Sequence, residues 1–129
     1  MPYKLFDYVD GHGRNVFKDW TQGLQKKELA KLNAKLDMLE MHGADLFPNT
    51  LSGTNTAGIQ KLRVHGKVQL RPLLCLGPID VDAEFTLLMG ATERDSKLVP
   101  EDADKTADAH KNSVLADSNN RRKKHERVG

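Results

Sequence analysis

The segment from Ile59 to Leu74, IQKLRVHGKVQLRPLL, decides how this chain is read, because it has the pattern of a β-hairpin whose two faces differ in chemistry. With a turn at His65-Gly66-Lys67, Val64 stands opposite Val68 and Leu62 opposite Leu70 on one side. On the other side Arg63 meets Gln69 and Lys61 meets Arg71, since residues directly opposite share a face and faces alternate along a strand. A slip of one residue would mix the two sets, so the pattern itself argues for this register. The apolar side is expected to be buried, and Lys61, Arg63 and Arg71 make the other side basic, suited to a negatively charged partner. The plainer alternative is an ordinary solvated face of an antiparallel strand. A three-residue loop prefers glycine at its left-handed third position; Gly66 is in the middle, so a bulge near Lys67 is expected.

Composition bounds what the hairpin belongs to. The 129 residues fit one domain with one core, expected over residues 1–117 and followed by a basic, mobile tail over 118–129. Twenty Lys and Arg against 18 Asp and Glu leave a net charge of only +2, too small to prove a polyanion partner. Distribution says more than the sum. Acidic residues gather between Glu93 and Asp108, whereas Arg121, Arg122, Lys123 and Lys124 form a dense positive cluster near the end. Cys75 is the single cysteine, so no intramolecular disulfide forms, and its neighbours Leu74 and Leu76 mark it as a buried small hydrophobe in a reducing compartment. No apolar run approaches a membrane span, and MPYKLFDYVDG lacks the layout of a secretion signal, so a cytoplasmic protein without a membrane contact is expected.

Working outward from the hairpin, Tyr3 to Val9 reads as a strand ending at Asp10-Gly11. Asn15 caps a short helix that turns Val16, Phe17 and Trp20 inward, with Trp20 as a core anchor, and Gly23 closes it. Leu24, Leu29, Leu32, Leu36 and Leu39 recur at helical spacing among lysines, which predicts an amphipathic helix ending at Gly43. Residues 44–58 read as loop. Beyond the hairpin, Glu84 to Thr92 is a strand with Phe85, Leu87 and Met89 on one face and Leu88 on the other, expected to be covered on both sides. Pro100 precedes a last helix, about 101–116, with Ala103, Ala107 and Val114 as a thin apolar stripe. The sum is an α+β layout: a strand, a helical hairpin, a three-strand meander and a C-terminal helix.

In this order and spacing, FKDWTQGLQKKELAKLNAKLDMLEMHG, then LRV, then a strand carrying Arg71, then FTLLMGATERD, Pro100 and an alanine-bearing helix, the chain resembles the RelE/HigB family of toxin-antitoxin toxins, in its phage-associated branch. The resemblance runs from about Phe17 to Asn112. Leu62-Arg63 stands where the family has its Leu-Arg pair, and Arg71 matches the arginine of the following strand. The family's Gly-Phe-x-Lys-Lys stretch is altered: Ala91 follows Gly90, Glu93 replaces the first lysine, and Arg94 keeps a positive charge.

The resemblance implies a RelE-like fold, with the N-terminal strand and helical hairpin packed on a small, mainly antiparallel sheet, and an activity: ribosome-dependent cleavage of mRNA by attack of the RNA 2′-hydroxyl on its own phosphate, with no metal or small-molecule cofactor. It also implies an antitoxin partner whose acidic or helical segment covers the basic face. Such chemistry needs a base, cations for the phosphorane-like transition state, and an acid for the leaving oxygen. Arg63 and Arg71 are the candidate phosphate clamps. Lys61, crowded by positive charge, is a candidate base, and His65 a candidate base or acid. Lys67, Arg94, Arg121, Arg122, Lys123 and Lys124 are the expected RNA contacts. Two other readings share the fold: a non-catalytic RNA- or protein-binding regulator, which Ala91 and Glu93 favour, and a ParE-like toxin directed at gyrase. The five histidines are scattered without metal-ligand spacing, and no glycine-rich phosphate loop follows a strand.

Overall fold

The computed structural model describes residues 2–128. In chain order these form β1 (Lys4–Tyr8), α1 (Val16–Gln22), α2 (Lys26–His42), a 3-10 turn (Gly43–Leu46), β2 (Leu51–Gly53), β3 (Gln60–Leu62), β4 (Gln69–Leu70), β5 (Leu73–Leu76) and β6 (Glu84–Met89). Then come β7 (Thr92–Arg94), β8 (Lys97–Val99), α3 (Ala103–Ala116), α4 (Ser118–Arg121) and β9 (Arg122–Lys124). The larger sheet runs β2-β3-β5-β6-β1-β9 and is antiparallel throughout, except that β1 lies parallel to β6; the smaller runs β4-β7-β8. The fold is α+β with a mainly antiparallel sheet.

Local chemistry explains the helices. The Asn15 side chain accepts the Lys18 N–H at 3.0 Å and starts α1. Glu28 reaches back to the Gln25 N–H at 3.0 Å to start α2. Gly43 ends α2 with a φ of +51°, and the Tyr3 ring fills the space a Cβ would need.

The large sheet is covered on both faces, and parity decides which residue goes where. Leu5, Leu62, Leu74, Phe85 and Leu87 turn to one side, where Phe17 of α1 and Leu32, Leu36 and Leu39 of α2 close the larger core. Tyr8, Ile59, Leu73, Cys75 and Leu88 turn to the other, against Ala103, Ala107 and Val114 of α3. The small residues of α3 let it lie close to the sheet, and all three are fully buried. All six residues of β6 are buried, as the two-sided strand required. A bulge leaves Leu88 unpaired between Leu87, opposite Leu74, and Met89, opposite Leu73, so Met89 joins Leu88 in the second core instead of sharing the face of Phe85 and Leu87 as expected.

Trp20 is a half-buried flank of the larger core rather than its centre, and its ring lies against Gly90: a Cβ there would fall 1.7 Å from Cδ2. Gly90→Ala is therefore expected to cost about 1–3 kcal/mol through overpacking, read as a lower urea midpoint; an unchanged midpoint would contradict the packing.

Three expectations need correction. The hairpin pairs Val64 with Leu70, not Val68, through reciprocal N–H to O bonds of 3.1 Å. The loop is thus five residues long, His65 to Gln69, closed by a Gln69 Nε2 to Gly66 O bond of 2.9 Å, and it spares Gly66 the left-handed position a shorter loop would impose. A two-residue shift preserves parity, so Leu62, Val64 and Leu70 still share the buried face. Second, the stretch expected as loop over 44–58 includes the 3-10 turn and the edge strand β2.

Third, the C-terminal segment is docked. Strand β9 pairs with β1, matching Phe6 with Lys124, Asp7 with Lys123 and Tyr8 with Arg122. The Arg122 guanidinium lies 3.9 Å from the Phe6 ring centroid and pairs with buried Glu84. His125 Nδ1 donates to buried Asp7 at 2.8 Å, and Asn15 Nδ2 donates to the other Asp7 oxygen at 2.8 Å. Arg127 continues across α2 to Asp37 at 3.0 Å. Buried Glu84, which would otherwise lack a charged partner, and buried Asp7, which gains the His125 hydrogen bond, give this polar segment its reason to order.

Candidate functional site

Parity and the small sheet assemble the site. Lys61 on β3, Arg63 beyond it, and Gln69 and Arg71 on the returning strand occupy the side of the hairpin opposite Leu62, Val64 and Leu70. The register places Arg63 across from Arg71. Pairing of β4 with β7 then brings Glu93 beside Gln69, and the Arg71 N–H donates to Ala91 O at 2.8 Å. Strand β7 turns into β8 at Asp95 and Ser96, both left-handed with φ of 52° and 64°, which is the primed turn that two-residue hairpins favour.

A hydrogen-bonded chain joins these groups. His65 Nδ1 lies 3.1 Å from Gln69 Oε1; because Gln69 Nε2 donates to Gly66 O, the Gln69 oxygen accepts, and His65 Nδ1 carries the hydrogen. The same oxygen is 3.4 Å from Arg71 Nη2. Arg71 Nε donates to Glu93 Oε1 at 2.6 Å, and Lys61 Nζ donates to that oxygen at 3.3 Å. Arg63 stands at the side, its Nε donating to Ser52 Oγ at 3.3 Å.

Arg71 is not the open phosphate clamp expected of it. Its side chain is only 7% exposed, Nη1 donates to Leu70 O at 2.9 Å, and Nε and Nη2 are engaged as above. Lys61 is the cation of an ion pair rather than an amine crowded by positive charge, because Glu93 lies against it. Arg63 and exposed His65 are the members with freedom to meet a ligand.

Burial opposes ionisation of Glu93, but the Arg71 hydrogen bond and the Lys61 charge outweigh it, so the carboxyl titrates below its ordinary 4.5. A group more acidic folded than unfolded adds stability above the unfolded value and loses it as pH falls through the folded one. Urea titrations should accordingly show wild type above Glu93→Gln at pH 7, with the gap closing in acid. A gap independent of pH would contradict this pairing.

Lys61 and Glu93 also line an open cleft of about 1000 Å³ between the loop after β2, the β7–β8 hairpin and the start of α3. Arg94 of the expected RNA contacts lines it too, while Lys67 is exposed on the hairpin loop. The C-terminal cluster is elsewhere. Strand β9 lies four strands from β3, about 19 Å at the usual spacing. There Arg122 is consumed by Glu84 and Phe6, and Arg121 is partly buried, its carbonyl accepting from Val9 N–H at 2.8 Å. Lys123 and Lys124 remain exposed.

Other reactive groups are poorly placed for chemistry. Burial pushes the Cys75 thiol up to about 12, so it is no nucleophile. His110 stacks on Tyr8 at 4.1 Å, and burial pushes it below its ordinary 6.5. Among the described residues no group of three or more His, Cys, Asp or Glu is placed to hold a metal ion, and no helix is long and apolar enough to cross a membrane.

Sequence reasoning missed Glu93 as a partner of Lys61 and Arg71. The available signal was TERDSKLV, whose alternation about Asp-Ser marks a hairpin that could bring Glu93 back to the basic strand. No protein-family model matches the chain, and no curated protein is significantly similar to it.

Proposed function

We propose that the chain is a RelE/HigB-like toxin, a ribosome-dependent, metal-independent endoribonuclease that cuts mRNA and is neutralised by an antitoxin in the cytoplasm. The observation that carries this reading is the joining of His65, Gln69, Arg71, Glu93 and Lys61 in one hydrogen-bonded chain, with Arg63 across from Arg71 and with Lys61 and Glu93 lining an open cleft. The order strand, helix pair, antiparallel strands and closing helix supports it as well.

Cleavage by the 2′-hydroxyl needs charge held where the phosphorane-like oxygens develop, and Arg63 and Lys61 would supply it, the guanidinium fork of Arg63 meeting two phosphate oxygens. His65, its Nδ1 hydrogen fixed by Gln69, would present Nε2 to the leaving 5′-oxygen. Arg94 and Lys67 would hold flanking phosphates. Lys123 and Lys124, on the far edge, would add sequence-independent affinity only to a long or ribosomal RNA.

The second reading, a binding module on the same fold, has one specific observation in its favour: Arg71 is neutralised by Glu93, so part of the expected basic face is paired within the protein. Incubating the purified chain with a defined mRNA, free or engaged on bacterial ribosomes, separates the two. The toxin reading expects cuts on the ribosome, leaving 2′,3′-cyclic phosphate and 5′-hydroxyl ends, and none on free mRNA. Ribosome or RNA binding without cuts would favour the module.

A further inference from the structure

We infer that Glu93 is the general base of the cleavage step, its Oε2 taking the proton of the attacking 2′-hydroxyl; this rests on the ribonuclease reading above. Both hydrogen bonds to the carboxylate fall on Oε1, from Arg71 Nε at 2.6 Å and Lys61 Nζ at 3.3 Å. Oε2 accepts no hydrogen bond among the described residues, and Glu93 lines the cleft. One oxygen is therefore fixed and the other left free for a proton. Buried Arg71, held by Leu70 O and Gln69 as well, does not reach substrate and is a positioning residue. Lys61, already the donor to Glu93, is a cation at the site and not its base.

The step balances within the residues present. As O2′ bonds to phosphorus, its proton passes to Glu93 Oε2. The bond from phosphorus to O5′ breaks, and O5′ takes a proton from Nε2 of His65, which enters the step as the imidazolium and keeps its Nδ1 hydrogen on Gln69 Oε1. The products are a 2′,3′-cyclic phosphate and a 5′-hydroxyl; Glu93 then releases its proton to water and His65 regains one. The depressed titration of Glu93 keeps it ionised at neutral pH. Weak basicity is the cost of that arrangement, and the adjacent cations offset it by stabilising the transition-state charge.

The test is single-turnover cleavage on ribosomes programmed with a defined mRNA, followed across pH for the full-length wild type, Glu93→Gln, Glu93→Asp and Lys61→Met. Glutamine keeps an acceptor oxygen for Arg71 and Lys61, so Glu93→Gln should fold, as its melting curve will report. We expect Glu93→Gln to lose about 10²–10⁴-fold in rate, to lose the acid limb of the pH profile, and to keep its ribosome affinity. Glu93→Asp should keep the limb at reduced rate. Cleavage by Glu93→Gln at the wild-type rate, or loss of the acid limb in Lys61→Met alone, would overturn the assignment and leave the ribonuclease reading standing. Absence of cleavage by the wild type would overturn both.

Discussion

Ending the chain at Arg121 is expected to unfold the protein or leave it barely folded. The deletion takes Arg122 from Glu84, leaving that carboxylate unpaired, and His125 from Asp7, which keeps only Asn15; the two side chains are 8% and 3% exposed. Removing one partner of a buried pair typically costs about 3–5 kcal/mol, a large share of the roughly 5–15 kcal/mol that holds a domain together. Strand β1 would also lose its β9 neighbour, including the His125 N–H to Leu5 O bond of 2.9 Å. Arg122→Met isolates one part of this effect and is expected to lower the urea midpoint by about 3–5 kcal/mol equivalent, because methionine can still cover Phe6 but leaves Glu84 unpaired. Lys123→Ala and Lys124→Ala, both at exposed positions, should stay within about 0.5 kcal/mol. A truncated chain as stable as the full one would mean that the tail is not part of the sheet.

Arg63→Ala is expected to reduce cleavage on the ribosome by about 10²–10³-fold, the usual loss when one preorganised donor to a developing oxyanion is removed. Arg63 is half-buried, has one polar contact to Ser52 Oγ, and holds no buried carboxylate, so the variant should melt close to wild type. Arg71→Ala is a different experiment. It also abolishes activity on this account, but by releasing Glu93 and loosening the small sheet, so its melting point should fall with its rate. Equal rate losses in the two variants, with stability lost only in Arg71→Ala, would distinguish the group that meets phosphate from the one that positions it. Tail substitutions should leave the cleavage rate alone and, where Lys123 or Lys124 touches RNA, reduce the salt slope of binding by about one per charge.

Much of this was legible in the residues. The sorting of Lys61, Arg63 and Arg71 away from Leu62, Val64 and Leu70 held although the register moved, because a shift of two keeps every side chain on its face. Asn15, Gly43 and the two-sided apolar run of β6 announced their roles through capping and periodicity. What escaped were pairings of polar groups distant in sequence. Glu93 and Arg71 are 22 residues apart and His125 and Asp7 are 118 apart, the first pair partly and the second fully buried, each because its members meet. Hydropathy reads RRKKHER as a segment with nothing to bury; only a partner carboxylate already inside the sheet reverses that. The same gap explains Arg71, whose accessibility depends on Glu93 rather than on its own strand.

Induced expression in bacteria of the wild-type chain and of Arg63→Ala, with mRNA 5′ ends mapped in both cultures, tests the central claim most directly. Growth arrest with new ends inside translated codons is expected for the wild type, and neither for Arg63→Ala at equal soluble yield. Normal growth and no new ends from soluble, folded wild-type protein would contradict it.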